Sequence, residues 1–90
     1  MEMGEVGIIY KILPKDLEID VNDLSKRIEN NIKEFCNIKG VQIKPIAFGL
    51  QAILMFISIK DEENASEKVE QKIKEIDGVG EIDIEEMSLL

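Results

Sequence analysis

The chain is short and acidic: it has 90 residues, of which 44% are hydrophobic and 33% charged, and its formal net charge is −8. This length supplies apolar side chains for one core and not for two, so residues 1–90 are expected to form a single domain. The excess of acid disfavours direct binding to nucleic acid, because affinity for phosphates comes from Lys and Arg.

Residue types that carry catalysis or cross-links are scarce. The chain has no His and one Cys, Cys36, so an intrachain disulfide and a His-activated nucleophile are both excluded. A single Cys in a short chain fits a reducing compartment. The longest apolar run, residues 52–57, is far shorter than the roughly 20 residues that span a bilayer. We therefore predict a cytoplasmic protein that is not an enzyme, contacts no membrane and needs no cofactor.

The first half of the chain has the pattern of a strand, a helix and a strand. Residues 6–13 are apolar and rich in β-branched side chains, which predicts a strand with both faces largely buried. Asp20 is placed to cap an amphipathic helix. The apolar positions of that helix are Leu24, Ile28, Ile32 and Phe35. Alternation over residues 41–44, ending at Pro45, then predicts an edge strand.

The second half repeats this order of elements. Residues 52–59 are almost continuously apolar and predict the most buried strand. Asn64 and Glu67 have the spacing of a capping box at the start of a second helix. Gly78 is expected to adopt the left-handed conformation that ends helices, and alternation over residues 79–85 predicts the last strand.

The order βαββαβ predicts a ferredoxin-like α+β fold. Both helices are expected on one face of a four-stranded antiparallel sheet. The first and third strands should be central, because they are the most continuously apolar. Along the last strand Glu81, Asp83 and Glu85 would share a solvent face, and they lack the spacing of a calcium-binding loop, so we expect no metal site.

The connection between the second and third strands is unusually apolar for a turn. Its residues are Pro45, Ile46, Ala47, Phe48, Gly49, Leu50 and Gln51. Two interpretations are open. Ile46, Phe48 and Leu50 continue the alternation of the strands and fill the end of the core. Alternatively Phe48, between two small residues, projects from the surface as an anchor for a partner's pocket.

At this connection the sequence resembles the archaeal translation elongation factor 1-beta family. The run PIAFGLQAI, residues 45–53, is similar to the family's Pro-Ile-Ala-Phe-Gly-Leu-Lys-Ala-Leu signature. The similarity extends over the whole chain. It includes the Met-Gly opening and first strand in residues 3–14, the Asp-Gly-Val turn in residues 77–79 and the hydrophobic residues at 87–90.

The resemblance implies a partner and a function. The family accelerates release of GDP from elongation factor 1-alpha, so this chain is expected to be a monomer when free and to bind that GTPase. Phe48 corresponds to the aromatic residue that the family inserts into the partner's GTPase domain. The whole segment Pro45–Gln51 corresponds to the part that disturbs the nucleotide and magnesium site, and Leu89 and Leu90 are expected to contribute further contacts.

Two basic residues of the family are missing here. Gln51 stands where the signature has Lys, and residues 87–90 contain no Lys, whereas eukaryotic members carry one just before the chain end. The resemblance therefore implies distortion of the partner by Phe48 and the apolar chain end, rather than electrostatic displacement of magnesium.

A different functional class also fits the predicted fold. A small-ligand regulatory module would form a homodimer and bind an amino acid at the junction of two chains. Such a site usually has a Gly-rich loop after the first strand, where this chain has PKDLEID in residues 14–20. A hydrolase of acyl phosphates would need an Arg in that loop, and the one Arg of the chain, Arg27, falls on the predicted helix.

Overall fold

The order of strands and helices is the one that the hydrophobic pattern predicts. The computed structural model describes residues 4–62 and 64–90, and the elements in these ranges follow the order βαββαβ. They are β1 Glu5–Pro14, α1 Val21–Ile32, β2 Asn37–Pro45, β3 Gln51–Lys60, α2 Ala65–Lys74 and β4 Val79–Leu89. Met3, where the resemblance in residues 3–14 begins, lies outside the described residues. Within those ranges no helix is long and apolar enough to cross a membrane.

The strands form a four-stranded sheet in the order β2-β3-β1-β4, and each neighbouring pair is antiparallel. This confirms the ferredoxin-like α+β prediction, including the central positions of β1 and β3 and the edge position of β2. The described part of the chain is elongated, with principal extents of 48 × 21 × 17 Å.

The core lies between one face of the sheet and the two helices. It takes alternate residues from the central strands and the apolar stripe of each helix, as strand and helix periodicity require. Its members are Ile8, Tyr10, Ile12, Val21, Leu24, Ile28, Ile32, Ile53, Met55, Ile57, Ile59, Val69 and Ile73. On the other face Ile9 and Leu13 are only half-buried. The prediction that both faces of β1 are largely buried holds fully on the helix side, whereas the other face is only partly covered because the helices pack on one face alone.

The two helix starts differ from each other. The Asp20 carboxylate accepts hydrogen bonds from the backbone N of Asn22 at 3.0 Å and of Asp23 at 3.3 Å, which confirms the first cap. Asn64 has a left-handed backbone with φ 65°, and its side chain makes no capping bond within the described part of the chain. The predicted capping box with Glu67 was wrong, since a capping side chain reaches the first-turn amides from an extended backbone.

Three smaller predictions also need correction. Helix α1 ends at Ile32, so Phe35 lies in the following turn and is 44% exposed rather than part of the core. Gly78 does have a positive φ of 105°, but α2 already ends at Lys74. The predicted solvent face of Glu81, Asp83 and Glu85 leaves Ile84 on the opposite face, yet Ile84 is half-exposed because it belongs to edge strand β4, whose outer side has no neighbouring strand in the described structure.

Candidate functional site

The β2–β3 connection is a tight turn at the tip of a hairpin. The backbone N of Leu50 donates to the carbonyl oxygen of Ala47 at 2.9 Å, and the N of Ile46 donates to that of Leu50 at 2.9 Å. The two residues at the tip, Phe48 and Gly49, have φ values of 56° and 79°. Positive φ at both central positions is the mark of a type I′ turn, which follows the natural twist of a hairpin.

Phe48 occupies one of these left-handed positions and is 97% exposed. Both facts are unfavourable for a phenylalanine. A bulky side chain disfavours the left-handed region, where Gly, Asn and Asp are the usual residues, and an exposed aromatic ring contributes nothing to the core. Folding stability therefore does not explain this residue. Residues that retain such strain concentrate at functional sites, so the tip is the leading candidate.

The rest of the connection is exposed as well, except Leu50, which is half-buried. Buried residues of β3 begin only at Ala52, beyond the hairpin tip. The interpretation that Ile46, Phe48 and Leu50 fill the end of the core was therefore wrong for Phe48 and Ile46. The tip extends past the helices that would have to cover it. The alternative geometry, an aromatic ring projecting from a close backbone turn, is the one observed.

The other expected contact residues lie at the end of β4. Leu89 pairs with Val6 across the sheet and is 77% exposed, and Leu90 is 63% exposed. The backbone N of Leu90 donates to the carbonyl oxygen of Glu5 at 2.9 Å, which extends the ladder by one bond beyond β4. This segment presents apolar side chains on an ordered backbone.

These two sets of residues do not come together. Leu89 is level with Val6 and hence with Ile59 near the end of β3, whereas the hairpin tip precedes the start of β3 at Gln51. At about 3.3 Å per residue the tip and Leu89 are separated by more than about 25 Å. The resemblance predicts that both contribute to one partner-binding surface. The structure divides that surface into a hairpin site, Pro45–Gln51, and a chain-end site, Leu89 and Leu90.

One ion pair stabilises the loops at the hairpin end of the sheet. Lys15 Nζ lies 3.0 Å from Asp77 Oδ1, and the backbone N of Lys15 donates to the carbonyl oxygen of Gly78 at 2.8 Å. The hydrogen bond from Lys15 lowers the pKa of Asp77, and the same bond raises the pKa of Lys15. Both side chains are exposed, so salt screens the pair, and the backbone hydrogen bond is the firmer link between the two loops.

Groups with chemical reactivity are absent from the hairpin site. Across residues 4–62 and 64–90 no cluster of His, Cys, Asp or Glu is arranged to hold a metal ion. Cys36 is half-buried at the opposite end of the sheet, and burial raises the pKa of its thiol to about 11. What the site offers is therefore shape and apolar surface, which suits recognition of another protein.

Comparison with known proteins assigns the chain to a family. The EF-1 guanine nucleotide exchange domain matches residues 7–90, which include all of the hairpin site and the chain-end site. The chain belongs to this family. Membership of this family supports a role in guanine nucleotide exchange, in keeping with the non-reactive surface at Phe48.

Curated relatives of the exchange domain match along nearly their whole length. Elongation factor 1-beta of Thermoplasma acidophilum is 39% identical over 88 residues, covering 98% of this chain and all of that protein. The protein of the same name from Staphylothermus marinus is 36% identical over 84 residues, 92% of this chain and 93% of that protein. That of Archaeoglobus fulgidus is 35% identical over 88 residues, 98% of this chain and all of that protein. These relatives confirm the resemblance of the sequence to the archaeal elongation factor 1-beta family.

The tight turn at the hairpin tip and the separation of the two sites were not predicted from the sequence, although the sequence contains a signal for each. A two-residue turn ending in Gly between alternating strands is the usual hairpin pattern, and Phe48-Gly49 is a version of it with Phe in the place of Asn or Asp. The separation of the two sites follows from topology. A last strand antiparallel to β1 must end beside the start of β1, far from the β2–β3 turn.

Proposed function

We propose that this chain promotes the exchange of GDP for GTP on translation elongation factor 1-alpha. Membership of the exchange-domain family supports the reaction. The placement of Phe48 supports the mechanism: its ring is 97% exposed on a left-handed residue at the tip of a hairpin, where neither burial nor backbone preference favours it. Such a ring is available to enter a pocket of the GTPase without any rearrangement of this chain.

The physical requirement on an exchange factor is differential affinity. It must bind the nucleotide-free GTPase more tightly than the GDP-bound form, and linkage then makes GDP bind less tightly to the complex. A pocket that accepts Phe48 only when the nucleotide site is distorted would provide this difference. A buried aromatic anchor is worth on the order of 2 to 4 kcal/mol, which corresponds to more than a tenfold effect on affinity.

The chain-end site supplies a second contact in this proposal. Leu89 and Leu90 are exposed and apolar, and the sheet holds them more than about 25 Å from Phe48 at the rise of an extended strand. One exchange factor would thus touch its GTPase at two separated places, with its sheet as a rigid connection. Distortion of the nucleotide and magnesium site then comes from apolar contacts, since Gln51 and residues 87–90 lack the basic side chains of other members.

No covalent step is needed for this function. Residues 1–90 would act as one exchange domain, as a free monomer in the cytoplasm, and not as an enzyme. The formal net charge of −8 favours association with a basic protein surface over binding to RNA. The chemistry available at Phe48, Leu89 and Leu90 is apolar contact throughout.

A nucleotide-release assay tests the proposal. Elongation factor 1-alpha from the same organism is loaded with a fluorescent GDP analogue, and its release into excess GTP is followed as the 90-residue chain is titrated. We expect the release rate to rise and saturate with the concentration of the chain. Binding to nucleotide-free GTPase should be tighter than binding to the GDP complex. A release rate that stays at its intrinsic value up to saturating chain would overturn the proposal.

A further inference from the structure

Gly7 is an unusual residue for its position. It lies in the interior of central strand β1, level with Ser58 of β3 and Ser88 of β4. Glycine in a strand interior costs conformational entropy and offers no side chain to pack. Its φ is outside the left-handed range, so the backbone does not require glycine here. The reason for glycine must be the space that its missing side chain leaves.

Two apolar side chains border that space on the face of the sheet away from the helices. A methyl group added to Gly7 would lie 3.1 Å from Leu90 Cδ2 and 3.1 Å from Phe56 Cε1, closer than carbon atoms normally approach. The same addition at Gly40, on β2 directly across from Phe56, would meet nothing within 4 Å. The contact is thus specific to Gly7, and Leu90 lies over the bare backbone of β1.

We propose that Gly7 and Phe56 form a seat that holds the Leu90 side chain and thereby orders the end of β4 in the chain-end site. The hydrogen bond from the N of Leu90 to the carbonyl oxygen of Glu5, 2.9 Å long, holds the backbone beside the same seat. This inference rests on the proposed function. Gly7 and Phe56 act as positioning residues, because they order the contact segment before the partner arrives.

The physical benefit of such a seat is preorganisation. A segment that is already ordered loses less conformational entropy on binding, by about 0.5 to 1.5 kcal/mol for each side chain that would otherwise be immobilised. Residues at the end of a strand fray unless they are tied down. Without the seat, the Leu90 side chain would sample many orientations, and the partner would have to select one of them.

Amide hydrogen exchange measured by NMR on the 90-residue chain tests the seat independently of any partner. In Gly7→Val the larger side chain displaces Leu90, and we expect the Leu90 amide to exchange at least ~10-fold faster than in the wild type. Gly40→Val is the matched control, since it adds the same group where there is room, and should leave that amide unchanged. Equal protection of the amide in the wild type and in Gly7→Val would overturn the proposal.

A second variant covers the case in which valine at residue 7 disturbs the sheet. Phe56→Ala removes the other wall of the seat without adding volume to β1, and should also accelerate exchange at Leu90. Thermal unfolding of each variant shows whether the sheet is intact. If Phe56→Ala is folded and the Leu90 amide keeps its wild-type protection, the seat does not exist as proposed.

The nucleotide-release assay tests the functional link. Loss of preorganisation should raise the concentration of Gly7→Val needed for half-maximal GDP release several-fold, while the maximal rate changes little. Gly40→Val should titrate like the wild type. A wild-type titration curve for Gly7→Val would overturn the positioning role. If the wild type itself does not accelerate release, the proposed function fails, while hydrogen exchange at Leu90 still decides whether the seat exists.

Discussion

Phe48 and Leu89 lie at opposite ends of one four-stranded sheet, the first at the turn that precedes β3 and the second level with Ile59 near the end of that strand. A rigid sheet therefore fixes the separation between two exposed apolar contacts. Because backbone hydrogen bonds hold the strands in register, a partner that engages both contacts meets a spacer of constant length. In the proposed function, a chain of 90 residues would touch the GTPase at two separate places.

Replacing Phe48 by Asn should stabilise the fold. Asn adopts the left-handed region more readily than Phe, and the exposed ring contributes no burial that would be lost. We expect the free energy of unfolding in urea to rise by up to about 1 kcal/mol. A decrease would show that the ring has a structural role after all. The same variant should lose exchange activity, so that stability and function move in opposite directions at one residue.

Gly80 is expected to be intolerant of a side chain. A methyl group there would lie 2.8 Å from the Cα of Lys15 and 2.8 Å from the carbonyl oxygen of Pro14, and backbone atoms cannot move aside. Gly80→Ala should lower the free energy of unfolding by about 2 kcal/mol or more.

The control for this variant is Gly40→Ala, which places the same methyl group in open space. Its free energy of unfolding should change by less than about 0.5 kcal/mol. Urea denaturation with circular dichroism measures both variants. Equal midpoints for the two would mean that β1 and β4 separate easily at this end of the sheet.

Cys36 should react slowly with alkylating reagents while the chain is folded. Burial raises the pKa of its thiol to about 11, so very little thiolate is present at pH 8. Allowing for the higher nucleophilicity of a more basic thiolate, we expect alkylation at least ~10-fold slower than that of glutathione. The rate should climb as the pH rises towards the pKa. The urea-unfolded chain is the internal control, and equal rates in folded and unfolded chains would contradict the burial of this thiol.

Much of the fold followed from the sequence because periodicity and burial agree along most of the chain. The apolar run in residues 52–59 and the helical spacing of Leu24, Ile28 and Ile32 each correspond to an element packed on the core. The errors arose where local pattern and tertiary position diverge. Phe35 continues the helical spacing but follows the end of the helix. The Asn64–Glu67 pair has the spacing of a capping box, but the backbone of Asn64 is left-handed rather than extended.

The candidate site stays a prediction, to which the structure adds the exposure of its residues. The apolar turn around Phe48 stood out from composition, but only coordinates decide between core filling and exposure. The role of Gly7 had no sequence signal, because a glycine in an apolar strand does not reveal which distant side chain occupies its space. Leu90 follows Gly7 by 83 positions and meets it only through the pairing of β1 with β4.

The most direct test of the exchange-factor account is GDP release from elongation factor 1-alpha with wild type, Phe48→Ala and Phe35→Ala. Phe35 is a matched control, since it is a partly exposed phenylalanine outside both proposed sites. We expect the wild type and Phe35→Ala to accelerate GDP release equally. With Phe48→Ala, shown to be folded by circular dichroism, the rate of GDP release should be more than ~10-fold lower. If Phe48→Ala accelerates GDP release from the GTPase as much as the wild type does, Phe48 is not the anchor and the account is wrong.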